Sequence, residues 1–110
     1  MWLFCKYGFF SAVEHRDDPN MIMLRARFRG DLENLINAFF SDAGIEVLST
    51  PRADYPFRCT ISKPQWSNAA SKIASEIDYD NFKDSVHDGT IRDMAYLQCW
   101  AALRSSQNNR

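Results

Sequence analysis

The chain has 110 residues, a length typical of one compact domain whose core needs no disulfide or metal to support it. Hydrophobic residues make up 45% of the sequence and aromatic residues 14%, which excludes an intrinsically disordered protein. The formal net charge of -1 excludes a general electrostatic attraction to nucleic acid or to an anionic membrane. We expect a single α+β domain over residues 1–104 and a polar tail over residues 105–110.

The three cysteines, Cys5, Cys59 and Cys99, are odd in number, far apart and in no CxxC pair. This pattern favours free thiols in a reducing cytosol over a zinc site or a disulfide framework. We therefore expect no metal and no cofactor. The apolar run at the N-terminus is too short for a signal peptide, and no stretch is long enough to span a membrane. The sequence predicts a soluble cytoplasmic protein.

The predicted elements begin with a strand over Trp2–Glu14, broken or bulged at Gly8. A turn at 16–20 follows, since Asp, Pro and Asn favour turns. Residues 21–29 then alternate between apolar and cationic side chains, the period of a half-buried strand. The two strands are expected to form an antiparallel hairpin.

After this first hairpin, the sequence predicts a helix, a second hairpin and a second helix. An apolar stripe beginning at Leu32 predicts a helix over 31–43, which Gly44 ends. Short strands over 45–50 and 55–62 form a second hairpin. Ser62 and Gln65 then form a capping box that starts a helix over 64–77. A helical turn near Phe82 and a last helix, capped by Thr90, complete the chain.

This order, ββαββα with an extra C-terminal helix, predicts an α+β fold with an antiparallel sheet of about four strands and helices on one face. Two tryptophans on helical stripes, Trp66 and Trp100, are expected in the core. The inner sheet face is expected to carry five apolar residues: Ile22, Leu24, Phe28, Phe57 and Ile61.

The opposite sheet face is predicted to carry a row of arginines: Arg25, Arg27 and Arg29, with Arg58 from the second hairpin. Residues two apart on a strand are spaced by about 6.5–7 Å, close to the spacing of phosphates along a single strand. With nearby aromatic rings, such a face is typical of sheet-type RNA binders. The alternative is that these arginines pair with the protein's own acids or lie in solvent.

An acidic segment after the second long helix is the other charged cluster, and its candidate contact residues are Asp78, Tyr79, Asp80 and Asp84. Its pattern does not match an EF-hand calcium loop, because Lys83 occupies the position at which that loop requires glycine. It is either an internal match for the arginines or a separate protein-contact surface.

A catalytic site has less support in the sequence. His87 with Asp88, beside Asp84, is one candidate for a general base with an orienting carboxylate. No nucleophile elbow or glycine-rich phosphate loop accompanies it. A non-catalytic protein is therefore the stronger expectation.

Four segments in order resemble a family of small uncharacterised bacterial and phage proteins. They are MWLF with GFFS, MLRAR, DYPFR and IDYDNFK, and together they cover most of residues 1–100. The resemblance implies a phage or mobile-element setting but carries no activity or site residue. In that setting we expect a small protein that binds a host protein complex, as an inhibitor of a bacterial defence system of the CRISPR type. Nucleic-acid binding ranks second and an enzyme third, while the oligomeric state stays open.

Overall fold

The computed structural model describes residues 1–108, which form an antiparallel sheet of five strands and four helices. In chain order the elements are β1 (Trp2–Cys5), β2 (Gly8–His15), β3 (Asp18–Ala26), α1 (Arg29–Phe39), β4 (Leu48–Ser49), β5 (Phe57–Ser62), α2 (Lys63–Ser75), α3 (Phe82–Ser85) and α4 (Ile91–Gln107). The strands lie in the order β1-β2-β3-β5-β4, and each neighbouring pair is antiparallel. The predicted α+β class is confirmed, with one strand more than expected.

The additional strand arises at Gly8, where a turn breaks the predicted strand into two; of the predicted alternatives, the structure has the break and not the bulge. β1 ends at Cys5, the chain reverses through the next two residues, and Gly8 pairs with Cys5. Gly8 has a φ of 137°, a conformation that side chains disfavour. A Cβ at this position would lie 2.3 Å from Cγ of Asp31, which is buried beneath the turn. The glycine therefore permits both the turn and the close approach of Asp31.

The hydrophobic core lies between the sheet and the helices α1 and α2. Leu24 of β3 pairs with Cys59 of β5, and Ile22 pairs with Ile61. These side chains are buried with apolar residues of the two helices: Leu32, Leu35, Trp66, Ala69 and Ile73. The predicted core positions of Ile22, Leu24, Ile61 and Trp66 are confirmed, and Phe57 packs half-buried against the cluster.

The predicted core position of Phe28 is wrong, because β3 ends two residues earlier, at Ala26. Phe28 is the residue before α1, and its side chain is 59% exposed. Its backbone is still extended, but it no longer belongs to the paired strand, so the alternation stops applying there. Arg29 is consequently the first residue of α1 and not the last of a strand.

The helix boundaries shift slightly from the predicted ones. α1 ends at Phe39, with Phe40 as its C-cap, and so stops before Gly44. α2 begins with the predicted capping box: the amide of Gln65 donates to Oγ of Ser62 at 3.1 Å, and the Ser62 amide donates to Oε1 of Gln65 at 2.7 Å. The strand predicted at 45–50 is reduced to two residues.

The chain divides into two compact units, Met1–Ile77 and a second that begins at Asp78. The first contains the sheet, α1 and α2. The second contains α3 and α4, and α4 continues through Gln107 into the predicted polar tail. Asn109 and Arg110, which end that predicted tail, lie outside the described residues.

The second unit contradicts one core prediction. Trp100 is 46% exposed, and neither α3 nor α4 has a buried residue. Apolar periodicity indicates an amphipathic helix, but it does not say whether another element covers the stripe.

Candidate binding surface on the open sheet face

We define the open sheet face as the side of the sheet that faces away from α1 and α2. The strand register assigns residues to it, because side chains directly opposite on neighbouring strands lie on the same face. One row runs across four paired positions, from Trp2 through Ser11 and Arg25 to Arg58. The other members are Phe4, Phe9, Val13, Met21, Met23 and Thr60.

One end of the open sheet face is aromatic. Phe9 stacks on Phe4 with ring centroids 4.5 Å apart, and Trp2 meets Phe9 edge-on at 6.1 Å. Tyr55, which precedes β5, lies 6.4 Å from Phe9 and is buried. Trp2 is 71% exposed. Its indole is therefore available to a partner while the rings beneath it are fixed by packing.

Arg25 lies beside this aromatic cluster and is half-buried. Its Nη2 donates to Oγ of Ser11 at 2.7 Å, and its guanidinium lies 4.6 Å from the ring centre of Tyr55. Its Nε is buried without a hydrogen-bond partner. The guanidinium of Arg25 therefore contacts a hydroxyl group and an aromatic ring, and neither of these two partners is a carboxylate.

Arg27 shares the same tyrosine but has a different environment. Its guanidinium lies 4.4 Å from the ring centre of Tyr55. Its Nη1 donates to the carbonyl oxygen of Asp54 at 2.8 Å and to its carboxylate at 3.2 Å. This ion pair is exposed and therefore contributes little stability. It does neutralise Arg27 locally.

The remaining two arginines of the predicted row lie on different elements. Arg29, in the first turn of α1, pairs with Glu33 at 2.8 Å and so leaves the predicted row. Arg58 lies on β5 directly opposite Arg25, and its Nη1 donates to the hydroxyl of Thr50. The structure thus brings Arg25, Arg27 and Arg58 to one region of the first unit.

The acidic segment lies in the second unit, where Asp78, Asp80 and Asp84 are exposed. The ring of Tyr79 lies 5.9 Å from that of Phe82, which in turn packs against Tyr96 of α4. The amide of Asp84 donates to Oδ1 of Asn81, which caps α3. The segment is therefore a locally capped helix start with three carboxylates in solvent.

His87 does have a carboxylate neighbour, but it is neither of the predicted ones. Its Nδ1 lies 2.9 Å from Oδ2 of Asp93, on α4. Asp88 instead accepts hydrogen bonds from the hydroxyl and amide of Thr90, which lower the pKa of Asp88. The sequence predicted Asp93 as part of the Thr90-x-x-Asp93 cap of the last helix but not as the partner of His87.

A groove of about 360 Å³ lies next to this pair and is lined in part by Lys83, Met94 and Leu97. It supplies no serine or cysteine nucleophile beside His87. Within residues 1–108, no group of three or more His, Cys, Asp or Glu side chains is arranged to hold a metal ion. In the same range, no helix is both long and apolar enough to cross a bilayer.

Comparison with models of protein families, with curated proteins and with solved structures finds no match to this chain. The function is therefore inferred from the fold and from the open sheet face. They define an α+β protein that presents aromatic rings and guanidinium groups on the side of its sheet opposite α1 and α2.

Proposed function

We propose that this protein is a non-catalytic binding protein whose open sheet face docks a partner protein. The observation that carries the proposal is the exposed indole of Trp2, which lies on the same face as Arg25 and Arg58. Tryptophan, tyrosine and arginine dominate the residues that contribute most to protein–protein affinity. The rings beneath Trp2 are already packed, so docking orders few additional side chains.

The apolar members of this face support a protein partner. Val13, Met21 and Met23 are half-buried and surround the row of paired positions. A centre of aromatic and aliphatic side chains with a few charges is the usual composition of a protein–protein interface. The charge balance agrees, since nine Lys and Arg side chains in residues 1–77 are matched by nine Asp and Glu side chains.

The identity of the partner rests on the resemblance described above. We propose a host complex of a bacterial defence system, with the protein acting as an inhibitor that occupies a surface. The acidic segment is a second candidate contact, because exposed carboxylates are suited to channels lined with lysine and arginine.

The experiment that tests the proposal compares two exposed tryptophans. The protein, tagged at its C-terminus, is used to capture proteins from nuclease-treated bacterial lysate, which are quantified by mass spectrometry. Trp2→Ser should reduce the recovery of specific proteins by at least about tenfold, since a hot-spot tryptophan buried on binding contributes about 2 kcal/mol or more. Trp100→Ser is the matched control and should leave recovery unchanged.

The opposite result would contradict the proposal. If Trp2→Ser captures the same proteins as the wild type, the open sheet face is not the docking surface. If only Trp100→Ser loses them, the contact lies on α4.

Nucleic-acid binding is the second candidate, favoured by the combination of stacked rings with guanidinium groups on one sheet face. Gel-shift titrations with single-stranded and duplex DNA and RNA test it. Submicromolar binding at physiological salt that is lost in Arg25→Ala/Arg27→Ala would place this function above protein binding. We expect no such binding, because Arg27 is already neutralised by Asp54.

A further inference from the structure

We propose that α4 pairs in antiparallel orientation with α4 of a second copy of this chain, which makes the protein a homodimer. The proposal goes beyond the docking function, since the open sheet face belongs to the first unit and α4 to the second. It starts from the exposure of α4. This helix is 17 residues long, the structure describes all of them, and none is buried. A helix in water gains most of its stability by packing an apolar face against another element.

The exposed surface of α4 contains a regular apolar stripe with a charge at each end. Four of its side chains succeed one another at intervals of four, three and four residues and therefore lie on one side of the helix. We call them the α4 stripe: Asp93, Leu97, Trp100 and Arg104. Leu97 is 48% exposed and Trp100 is 46% exposed. This spacing is that of the contact positions of a coiled coil, in which two helices cover each other.

The α4 stripe is complementary to itself when two copies run antiparallel. The twofold axis of such a dimer places Leu97 of one copy opposite Trp100 of the other, and Asp93 opposite Arg104. An interface between identical copies requires a surface that matches itself in this way. Asp93 already contacts His87 and accepts hydrogen bonds from two backbone amides, so it offers Arg104 of the second copy a charge and no vacant hydrogen-bonding position.

The groove of about 360 Å³ lies on the same side of α4 and can receive an aromatic side chain. Asp93 and Leu97 of the α4 stripe both line it, together with Met94. In the antiparallel pair, Trp100 of the second copy lies level with Leu97 and therefore at this groove. Lys83 also lines the groove. A cation over the face of an indole is attractive, and Lys83 already lies 5.4 Å from the ring centre of Trp100 in its own chain.

The charges of the second unit select the antiparallel orientation. Residues 78–93 contain five aspartates and only two Lys or Arg side chains. Residues 94–107 contain Arg104 and no acidic residue. Antiparallel helices place the cationic end of each copy against the acidic end of the other and also oppose the two helix dipoles. A parallel pair would bring like charges together.

These features fit a second copy better than an unrelated protein, because the ring and the groove that receives it belong to one surface. The interface is small, since it consists of one helix and the groove beside it. Stable complexes bury about 800 Å² on each partner, so we expect a weak dimer with a dissociation constant of the order of 10 µM.

The test is sedimentation velocity of the full-length protein in a reducing buffer, which excludes dimers joined through the exposed Cys99. With rising concentration, we expect the monomer to convert to a species of twice its mass. Trp100→Ser should raise the dissociation constant at least about tenfold. Ile91→Ser is the matched control: Ile91 is 89% exposed but lies two residues from Asp93, on the other side of the helix, so the constant should not change.

Arg104→Glu tests the orientation. It places a carboxylate against the acidic end of the second copy and should raise the dissociation constant at least about tenfold, and added salt should weaken the wild-type dimer. In a parallel dimer the substitution would only replace one like-charge pair by another. Ala102→Glu adds the same carboxylate two residues from Trp100, on the opposite side, and should change nothing. The fluorescence of buried Trp66 on melting shows that each variant is folded.

Three results would overturn the proposal. The first is a monomer at every concentration, and if Trp100→Ser then loses captured proteins, α4 binds a different protein. The second is a dimer that survives Trp100→Ser, and the third is a dimer that Arg104→Glu leaves unchanged. Each copy has its own open sheet face, so capture through Trp2 does not depend on the dimer. Failure of the dimer therefore leaves the docking function standing, and failure of the docking function leaves the dimer.

Discussion

The replacement Gly8→Ala tests the turn that divides the first predicted strand into two. The backbone at Gly8 has a φ of 137°, a region essentially reserved for glycine that costs about 1–3 kcal/mol with a side chain. The new methyl group would also lie 2.3 Å from Cγ of Asp31. Asp31 must then move, which breaks its 3.2 Å hydrogen bond from the amide of Phe9 and adds about 1–3 kcal/mol for the loss of that bond to a charged group. We expect a total destabilisation of about 2–6 kcal/mol.

The assay is urea denaturation followed by tryptophan fluorescence, in which buried Trp66 reports on the core. Gly44→Ala is the matched control, because Gly44 has a φ of 65° but open space around its Cα. We expect it to cost only the conformational part, about 1–2 kcal/mol. Equal losses in the two variants would show that Asp31 does not restrict this position, and the account of the turn would be wrong.

Three further predictions concern the core, a buried thiol and the acidic segment. Leu35→Ala should cost about 2–5 kcal/mol in the same assay, since Leu35 is fully buried, whereas exposed Leu103→Ala should cost less than about 1 kcal/mol; a small loss for Leu35 would contradict the described core. Burial raises the pKa of Cys59 from 9.0 to about 11, so its neutral thiol stabilises the fold below pH 9 and this contribution is lost between about pH 9 and 11. The free energy of unfolding should therefore fall more in the wild type than in Cys59→Ala when measured at about pH 8 and pH 10.5, and an equal fall would refute the shift. Asp80→Lys/Asp84→Lys should leave the melting temperature within a few degrees, because both carboxylates are exposed, and should weaken partner binding by about tenfold with a salt-sensitive on-rate. If that variant stays folded and binds as well as the wild type, the acidic segment makes no contact.

Local rules predicted the elements whose structure depends on neighbouring residues. The alternation around Leu24 identified β3 and its buried face, and the capping box at Ser62 located the start of α2. Both signals report on interactions within a few residues of the chain.

The differences arise where distant residues decide the structure. The glycine at position 8 predicted a break or a bulge, but the close approach of Asp31, from α1, could not be predicted because no local pattern contains that contact. Periodicity correctly predicted the helix α4, but it also assigned Trp100 to the core, and Trp100 is 46% exposed.

The candidate site also combines features that neighbouring residues predict with features that depend on distant ones. Alternation placed Arg25 and Arg58 on the outer face, while their direct opposition depends on the β3–β5 register. The roles of Trp2 and Phe9 required the β1–β2 hairpin, since their places on the open sheet face follow from its pairing.

Site-specific photo-cross-linking tests the docking function most directly. A benzophenone amino acid is introduced at Thr60, an exposed position on the open sheet face, and in a matched protein at Ser71, an exposed position on α2. After irradiation in bacterial lysate, we expect protein adducts from position 60 that disappear when Trp2→Ser is added, and none of these adducts from position 71. Adducts that form equally at both positions, or only from α2, would contradict the claim that the open sheet face binds a partner protein.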